Sequence, residues 1–289
     1  QEGPFAEEVR AHKEKLEVEN PHALFPTSPY RESEGHVVSS DDDKVVEAVM
    51  TCHTYTSIRI EDGILDIENR VLRDLYAPLG RCICVVDENV EKHHGVKITR
   101  YFNHFDILLE KLEYRAMEVD KTLSTVENIL SDFKRLAVAR NEPVLIIGGG
   151  VLADIGGLAC SLFNRNTPYV MVGSSIVSAI DAGPSPRTCC DGHGYKNLSG
   201  SYHAPILTLA DKSFFVTLKE GWLRHGVAEI IKMAVVKDIT LFEQLELAGP
   251  ELFRSKFGTE PYAKGSSIEP LAEKILAGAM RSYVEAEYD

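Results

Sequence analysis

The stretch Pro143-Val144-Leu145-Ile146-Ile147-Gly148-Gly149-Gly150-Val151-Leu152-Ala153-Asp154 decides the fold. A strand-like apolar run ends in three glycines, and the glycines open an apolar helical pattern. Such a turn lets the backbone approach a pyrophosphate closely, while the free N–H groups and positive dipole end of the following helix attract the anion. Gly148, Gly150 and Ala153 satisfy the relaxed form G-x-G-x-x-A of the dinucleotide fingerprint, although no acid closes the next strand about 20 residues on. A plain strand-to-helix turn shares the pattern, so the run needs support from elsewhere in the chain.

Outward from this loop, strand-like segments (Thr54 to Ile60, Ile64 to Ile67, Cys82 to Val86, Tyr169 to Val172) alternate with helical periodicity at Glu68 to Tyr76, Leu123 to Ala139 and Leu152 to Phe163. That alternation predicts an α/β, Rossmann-like domain over residues 45–210. Residues 4 to 18 read as a charged helix, and 20 to 44, with an Asp41-Asp42-Asp43 run, as a flexible arm. Beyond a glycine- and proline-rich stretch, Gly183 to Gly200, and a last strand, Ile206 to Leu209, the pattern turns helical. Trp222 to Val236, Thr240 to Glu246, Glu251 to Phe257 and Ile268 to Val284 make residues 211–289 an all-α region, one that reads as cut short at Asp289.

Composition narrows the function. Thirty-one basic against 44 acidic residues give a net charge of −13, which argues against nucleic-acid and membrane partners but leaves room for a local basic pocket. The cysteines lack C-x-x-C spacing and point to a reducing compartment, the cytoplasm. No apolar run approaches the 18 or so residues of a membrane span. Because the chain opens on Gln1, a removed transit peptide, and with it a plastid location, stays open.

Two clusters carry candidate chemistry. In Arg224-His225-Gly226-Val227-Ala228-Glu229-Ile230-Ile231-Lys232, Glu229 and Lys232 lie three residues apart on one helical face. An ion pair on a solvated face is one reading. The apolar neighbours suggest instead a largely buried helix, whose carboxylate would need a cation or a metal beside it. Between Ser174 and His203, Asp181, Arg187, Asp191, Lys196 and Asn197 crowd among glycine and proline, as in a surface loop or in an anion site. Arg165 is a further candidate cation, Asp87 follows the Cys82 to Val86 strand where a carboxylate can accept from ribose hydroxyls, and Glu118 with Lys121 precedes the Leu123 helix.

In their order these residues resemble the sugar phosphate cyclases related to 3-dehydroquinate synthase. The resemblance runs from about Arg81 to Val236 and rests on Asp87-Glu88-Asn89-Val90, Glu118-x-x-Lys121-Thr122, Gly148-Gly149-Gly150-Val151-x-x-Asp154, Ser174-Ser175 in place of a Thr-Thr pair, Asp181, Lys196-Asn197, Thr217-Leu218 and Gly226-x-Ala228-Glu229-x-x-Lys232. Ala159-Cys160-Ser161-Leu162, Asn166-Thr167-Pro168-Tyr169, Tyr202-His203-Ala204-Pro205 and Lys232-Met233-Ala234-Val235-Val236 look more like the branch that cyclises sedoheptulose 7-phosphate. Gly183 to Cys190 departs from the family pattern and puts Arg187 where lysine is usual; Trp222 stands where dehydroquinate synthases usually have glutamate.

The resemblance implies an NAD-dependent, phosphate-eliminating lyase that acts on a small sugar phosphate as a homodimer. An alcohol is oxidised, phosphate is eliminated, the ketone is reduced back and the ring closes by aldol addition, with zinc or cobalt polarising the oxygen. It assigns NAD to Asp87, Asn89, Glu118, Lys121, Gly149, Gly150, Val151, Asp154, Ser174, Ser175, Thr217 and Leu218; catalysis to Asp181, Lys196 and Lys232; substrate phosphate to Arg187 and Asn197, with Arg165 reaching across the dimer; and one metal ligand to Glu229. The other two family ligands are histidines downstream, yet His225 is the last histidine of the chain, and residues 1–289 alone are expected to be inactive. His203 and His225 are the substitutes on offer. Competing readings are 3-dehydroquinate synthase itself, a non-catalytic NAD-binding module and a metal-dependent alcohol dehydrogenase.

Overall fold

Runs of β-branched and other apolar residues with no polar alternation demand burial on both faces, which is the environment of a central parallel strand. The computed structural model, which describes residues 36–39, 46–49 and 54–288, places them so. Strands β3 (Ser57–Ile60), β4 (Arg81–Asp87), β5 (Leu108–Tyr114), β6 (Val144–Gly148), β7 (Tyr169–Gly173) and β10 (Leu207–Ala210) form a six-stranded sheet in the order β3-β10-β7-β6-β4-β5. Every pairing in it is parallel, and β6, β7 and β10 are buried throughout.

Helices α1 (Val71–Tyr76), α2 (Glu88–His104), α3 (Leu123–Arg135), α4 (Gly150–Leu162) and α5 (Ile176–Ile180) connect the strands. One core beneath the sheet joins Ile98, Tyr101 and Phe102 of α2 to β4, β6 and β7, and another joins Val126, Ile129 and Phe133 of α3 to the faces of α4 and β6. Chain order reverses between β4 and β6: β4 passes to β5 on one side, and β6 lies on the other. The crevice at that switch point, where Asp87 and Gly148 end their strands, is the usual ligand site of an open α/β sheet.

Helices α6 (Glu220–Val236), α7 (Ile239–Ala248), α8 (Glu251–Arg254) and α9 (Ile268–Tyr288) form the helical region. Its core, with Leu223, Val227 and Ile230 against Ile275, Leu276 and Ala279, is continuous with Ile176, Ala179 and Ile180 of α5. Helix α9 thereby lies along the α/β part.

Several expectations change. Ile64 to Ile67 is a turn, not a strand: Gly63 takes φ +71°, and the buried Asp211 accepts from Ile64 N. The expected loop within Gly183 to Gly200 contains a hairpin of β8 (Arg187–Gly192) and β9 (Tyr195–Tyr202), whose two-residue turn, His193-Gly194, has positive φ at both positions. Helix α6 is not largely buried, since Ile231, Val235 and Val236 are 44%, 67% and 78% exposed. The proposed charged helix at 4 to 18 lies outside the described residues. Of the arm at 20 to 44 only β1 (His36–Ser39) is described; it pairs antiparallel with β2 (Val46–Val49), across the expected boundary at residue 44.

Candidate active site

Gly149 caps α4 without a side chain, so the first N–H groups of the helix open toward the crevice. A Cβ on Gly149 would lie 3.9 Å from Ser175 Oγ, and one on Gly150 would lie 3.5 Å from Ala182 Cβ. The glycine loop therefore abuts both Ser175, which caps α5, and the segment that follows α5. Ser174 N donates to Gly148 O, tying the two strand ends together. Asp87 caps α2 by accepting from Asn89 N at 2.7 Å, while Asn89 itself is exposed. Thr217 Oγ1 lies 3.1 Å from His94 Nε2 on α2, and Leu218 packs on the helical core.

One turn into α4, Asp154 meets Lys121 at 2.6 Å, and Lys121 Nζ also donates to Asn197 Oδ1 at 2.6 Å. Lys121 is 5% exposed. Burial disfavours its ammonium, but the Asp154 carboxylate more than restores it. Burial pushes Asp154 above the ordinary carboxylate value, and Lys121 opposes the rise. Backbone bonds fix the arrangement: Asp191 N donates to Lys121 O, and Asn197 N to Asp191 Oδ1. Cys189 joins this cluster, its thiol pushed up to about 11 by burial and then by Asp154, so at neutral pH it is protonated.

Asp154, Asp181, Ser185, Arg187, Cys189 and Asn197 line a cavity of about 470 Å³, which Tyr202 also borders. Asp181 ends α5. Burial, and then Glu287 and Glu229, push its pKa up to about 6, against the pull of Lys232 and Arg187. Because the folded value lies above the ordinary 3.8, the native state holds the proton more tightly and loses stability as pH rises from about 4 through 6. Asp181→Asn should therefore be more stable than wild type above pH 6, with the gap closing toward pH 4. Thermal melts across that range check this, and a gap independent of pH would contradict it.

Beside the cavity, Glu229 on α6 accepts from Lys232 and, at 2.6 Å, from the Tyr283 hydroxyl of α9. Burial alone would raise Glu229, yet these two hydrogen bonds hold it below the usual carboxylate value. Arg187 pairs with Glu287, also of α9.

The sequence-derived set is thus gathered in part. Gly149, Gly150, Val151, Asp154, Lys121, Ser174 and Ser175 cluster at the loop, and Asp181, Arg187 and Asn197 at the cavity. Lys196 points outward, 74% exposed, and pairs with Glu118 at 2.6 Å. Arg165 is exposed beyond the far end of α4, at φ +57°. His203 is committed to the core, with Nε2 2.7 Å from Thr167 O, and His225 is exposed against the edge of Trp222. Neither histidine joins Glu229, and among the described residues no group of three His, Cys, Asp or Glu could hold a metal. Cys189, Tyr283 and Glu287 were not singled out from the sequence; Tyr283 and Glu287 reach the site only because α9 folds back over it.

Comparison with known proteins places this chain among relatives. The family model of the 3-dehydroquinate synthase N-terminal region matches residues 111–225. Demethyl-4-deoxygadusol synthase of Trichormus variabilis is 35% identical over 226 residues, 78% of this chain and 55% of that protein. A 2-epi-5-epi-valiolone synthase of Streptomyces albus is 37% identical over 227 residues, 77% of this chain and 55% of that protein. The structure of ValA, the 2-epi-5-epi-valiolone synthase of Streptomyces hygroscopicus subsp. jinggangensis, solved with NAD+ and Zn2+ bound, superposes with a TM-score of 0.75 at 33% identity, over 83% of this chain and 63% of that one. Residues 111–225 thus match the N-terminal region of the 3-dehydroquinate synthase family, and over most of its length the chain is similar to the named cyclitol synthases. It spans about half the length of the curated relatives it matches.

Proposed function

We propose that the whole protein is an NAD- and metal-dependent sugar phosphate cyclase that converts sedoheptulose 7-phosphate to a cyclitol with loss of phosphate. The observation that carries this reading is the junction of the glycine loop with a cavity holding Asp154, Asp181, Arg187 and Asn197. A dinucleotide site and a polyol-phosphate site thus share one wall, the Asp154–Lys121 pair. The names of the relatives give the product class, and sedoheptulose 7-phosphate enters through the resemblance drawn from the sequence. Residues 45–210 would carry the cofactor half and 211–289 the start of the metal and substrate half.

The chain fits NAD. The open glycine positions and the free N-terminus of α4 suit its pyrophosphate, and Asp87 sits at the switch point where ribose hydroxyls are accepted. Bound there, NAD+ supplies a reversible hydride acceptor. The residues of the chain do the rest: Arg187 and Asn197 hold the phosphate, Lys121 orients Asp154 and Asn197, and Asp181, half-protonated near pH 6, holds a proton in the cavity. Lys196, paired with Glu118, would join the site by exchanging that exposed partner. Arg165 serves only if a second copy brings it, which is the reason for proposing a homodimer. No helix among the described residues is long and apolar enough to cross a membrane, and we place the protein in the cytoplasm or, after loss of a transit peptide, a plastid.

A complete zinc site does not fit the described residues, because Glu229 is unaccompanied by two further donors. Zinc should therefore bind residues 1–289 only weakly. Calorimetric titration checks this, and stoichiometric binding at micromolar zinc would contradict it. The activity itself is tested on the whole protein: with NAD+ and zinc or cobalt it should release inorganic phosphate from sedoheptulose 7-phosphate without net NADH. Accumulating NADH without phosphate release would favour a dehydrogenase.

A further inference from the structure

Four of the sequence-derived cations already hold a carboxylate of this chain: Lys121 holds Asp154, Lys196 holds Glu118, Lys232 holds Glu229, and Arg187 holds Glu287. The last pair is unlike the others. The Glu287 side chain is 10% exposed, and its Oε2 is buried with no hydrogen-bond partner. Glu287 is also the charge that raises the Asp181 carboxyl most, ahead of Glu229, with Lys232 and Arg187 opposing both. An orphaned carboxylate oxygen beside a like charge is a costly arrangement that departure into water relieves. Arg187, by contrast, is 59% exposed and lines the cavity, so a ligand can reach its guanidinium from the open side. A phosphate offers that guanidinium the same charge-assisted hydrogen bonds with more oxygens than a carboxylate has. One further bond tethers the end of α9 to the same segment, from the Tyr288 hydroxyl to Pro184 O at 2.9 Å.

We propose that Glu287 determines the affinity of the phosphate subsite: its carboxylate occupies the Arg187 guanidinium until a phosphate monoester displaces it, and the Tyr288–Pro184 bond opens with it. The last turn of α9 is thus a latch that the substrate's own phosphate opens. This rests on the reading of Arg187 as a phosphate ligand, and the experiment separates the two. Inorganic phosphate is titrated calorimetrically, at constant ionic strength, into the wild-type chain, Glu287→Gln, Tyr288→Phe, Arg187→Met and Glu285→Gln. The last removes the same charge from the same end of α9 without touching Arg187.

Glu287→Gln should bind phosphate roughly fivefold more tightly, Tyr288→Phe should move the same way by less, Glu285→Gln should stay within about twofold, and Arg187→Met should lose binding. In wild type, saturating phosphate should speed amide exchange in residues 283–288. If Arg187→Met abolishes binding while Glu287→Gln binds no more tightly than wild type or than Glu285→Gln, the latch is wrong and the phosphate site stands. Phosphate binding that survives Arg187→Met overturns both. Should Glu287→Gln fail to fold, exchange in wild type decides, and protection of that last turn unchanged or increased by phosphate overturns the latch.

Discussion

Replacing Asp154 with alanine is expected to lower NAD+ affinity at least about tenfold, which is about 1.4 kcal/mol, and to destabilise the fold by about 3 kcal/mol. The two losses share one cause. Lys121 is buried, and Asp154 is the carboxylate that keeps its ammonium charged there. Without it Lys121 retains only the Asn197 amide oxygen and the Cys189 thiol as polar partners, an uncompensated cation at the wall of the cavity. Asp154→Asn keeps the shape and a hydrogen-bond acceptor but not the charge, so it should fall between the two. Calorimetric titration with NAD+ and urea denaturation read the effects separately. An NAD+ affinity for Asp154→Ala within about twofold of wild type would remove Asp154 from the cofactor site.

A comparable loss is expected from Gly183→Ala, for a packing reason. Gly183 lies against the last turn of α5, where an added Cβ would overlap the Ser178 carbonyl oxygen and press to 3.2 Å from Met171 Cγ. Backbone cannot yield as a flexible side chain can, so about 3 kcal/mol of stability should go. Because Asp181 and Ala182 precede Gly183 and Arg187 follows it, the same shift should disturb the cavity wall. Urea unfolding measures it, and a midpoint equal to that of wild type would mean that the turn is far softer than its geometry indicates.

The central strands and the glycine loop were legible because burial on both faces leaves an uninterrupted apolar run in Val144 to Ile147 and Tyr169 to Val172. Edge strand β5, Leu-Leu-Glu-Lys-Leu-Glu-Tyr, was missed, since three of its seven residues are charged and only Leu112 is buried. So was α2, whose seventeen residues mix histidine, lysine and glutamate with the few apolar positions that reach the core. The β8–β9 hairpin hid in a composition that reads as loop, although His193-Gly194 is a turn pair of the kind that accepts positive φ. Burial of α6 was overestimated from its own apolar content, because only neighbouring elements decide which face is covered. The role of α9 was the least accessible: Tyr283 to Glu229 and Glu287 to Arg187 are contacts across 54 and 100 residues. No local pattern encodes them.

On the reading proposed above, the glycine loop and the adjoining cavity form one site for NAD+ and a sugar phosphate. Sequential calorimetric titration of residues 1–289, first with NAD+ and then with sedoheptulose 7-phosphate, tests it most directly. One NAD+ should bind per chain, at least about tenfold more weakly in Asp154→Ala, followed by sugar phosphate binding that is lost in Arg187→Met while NAD+ binding persists. Folded protein that takes up no NAD+ at about 1 mM, a ligand concentration at which even a binding energy of about −4 kcal/mol gives half-saturation, would contradict it.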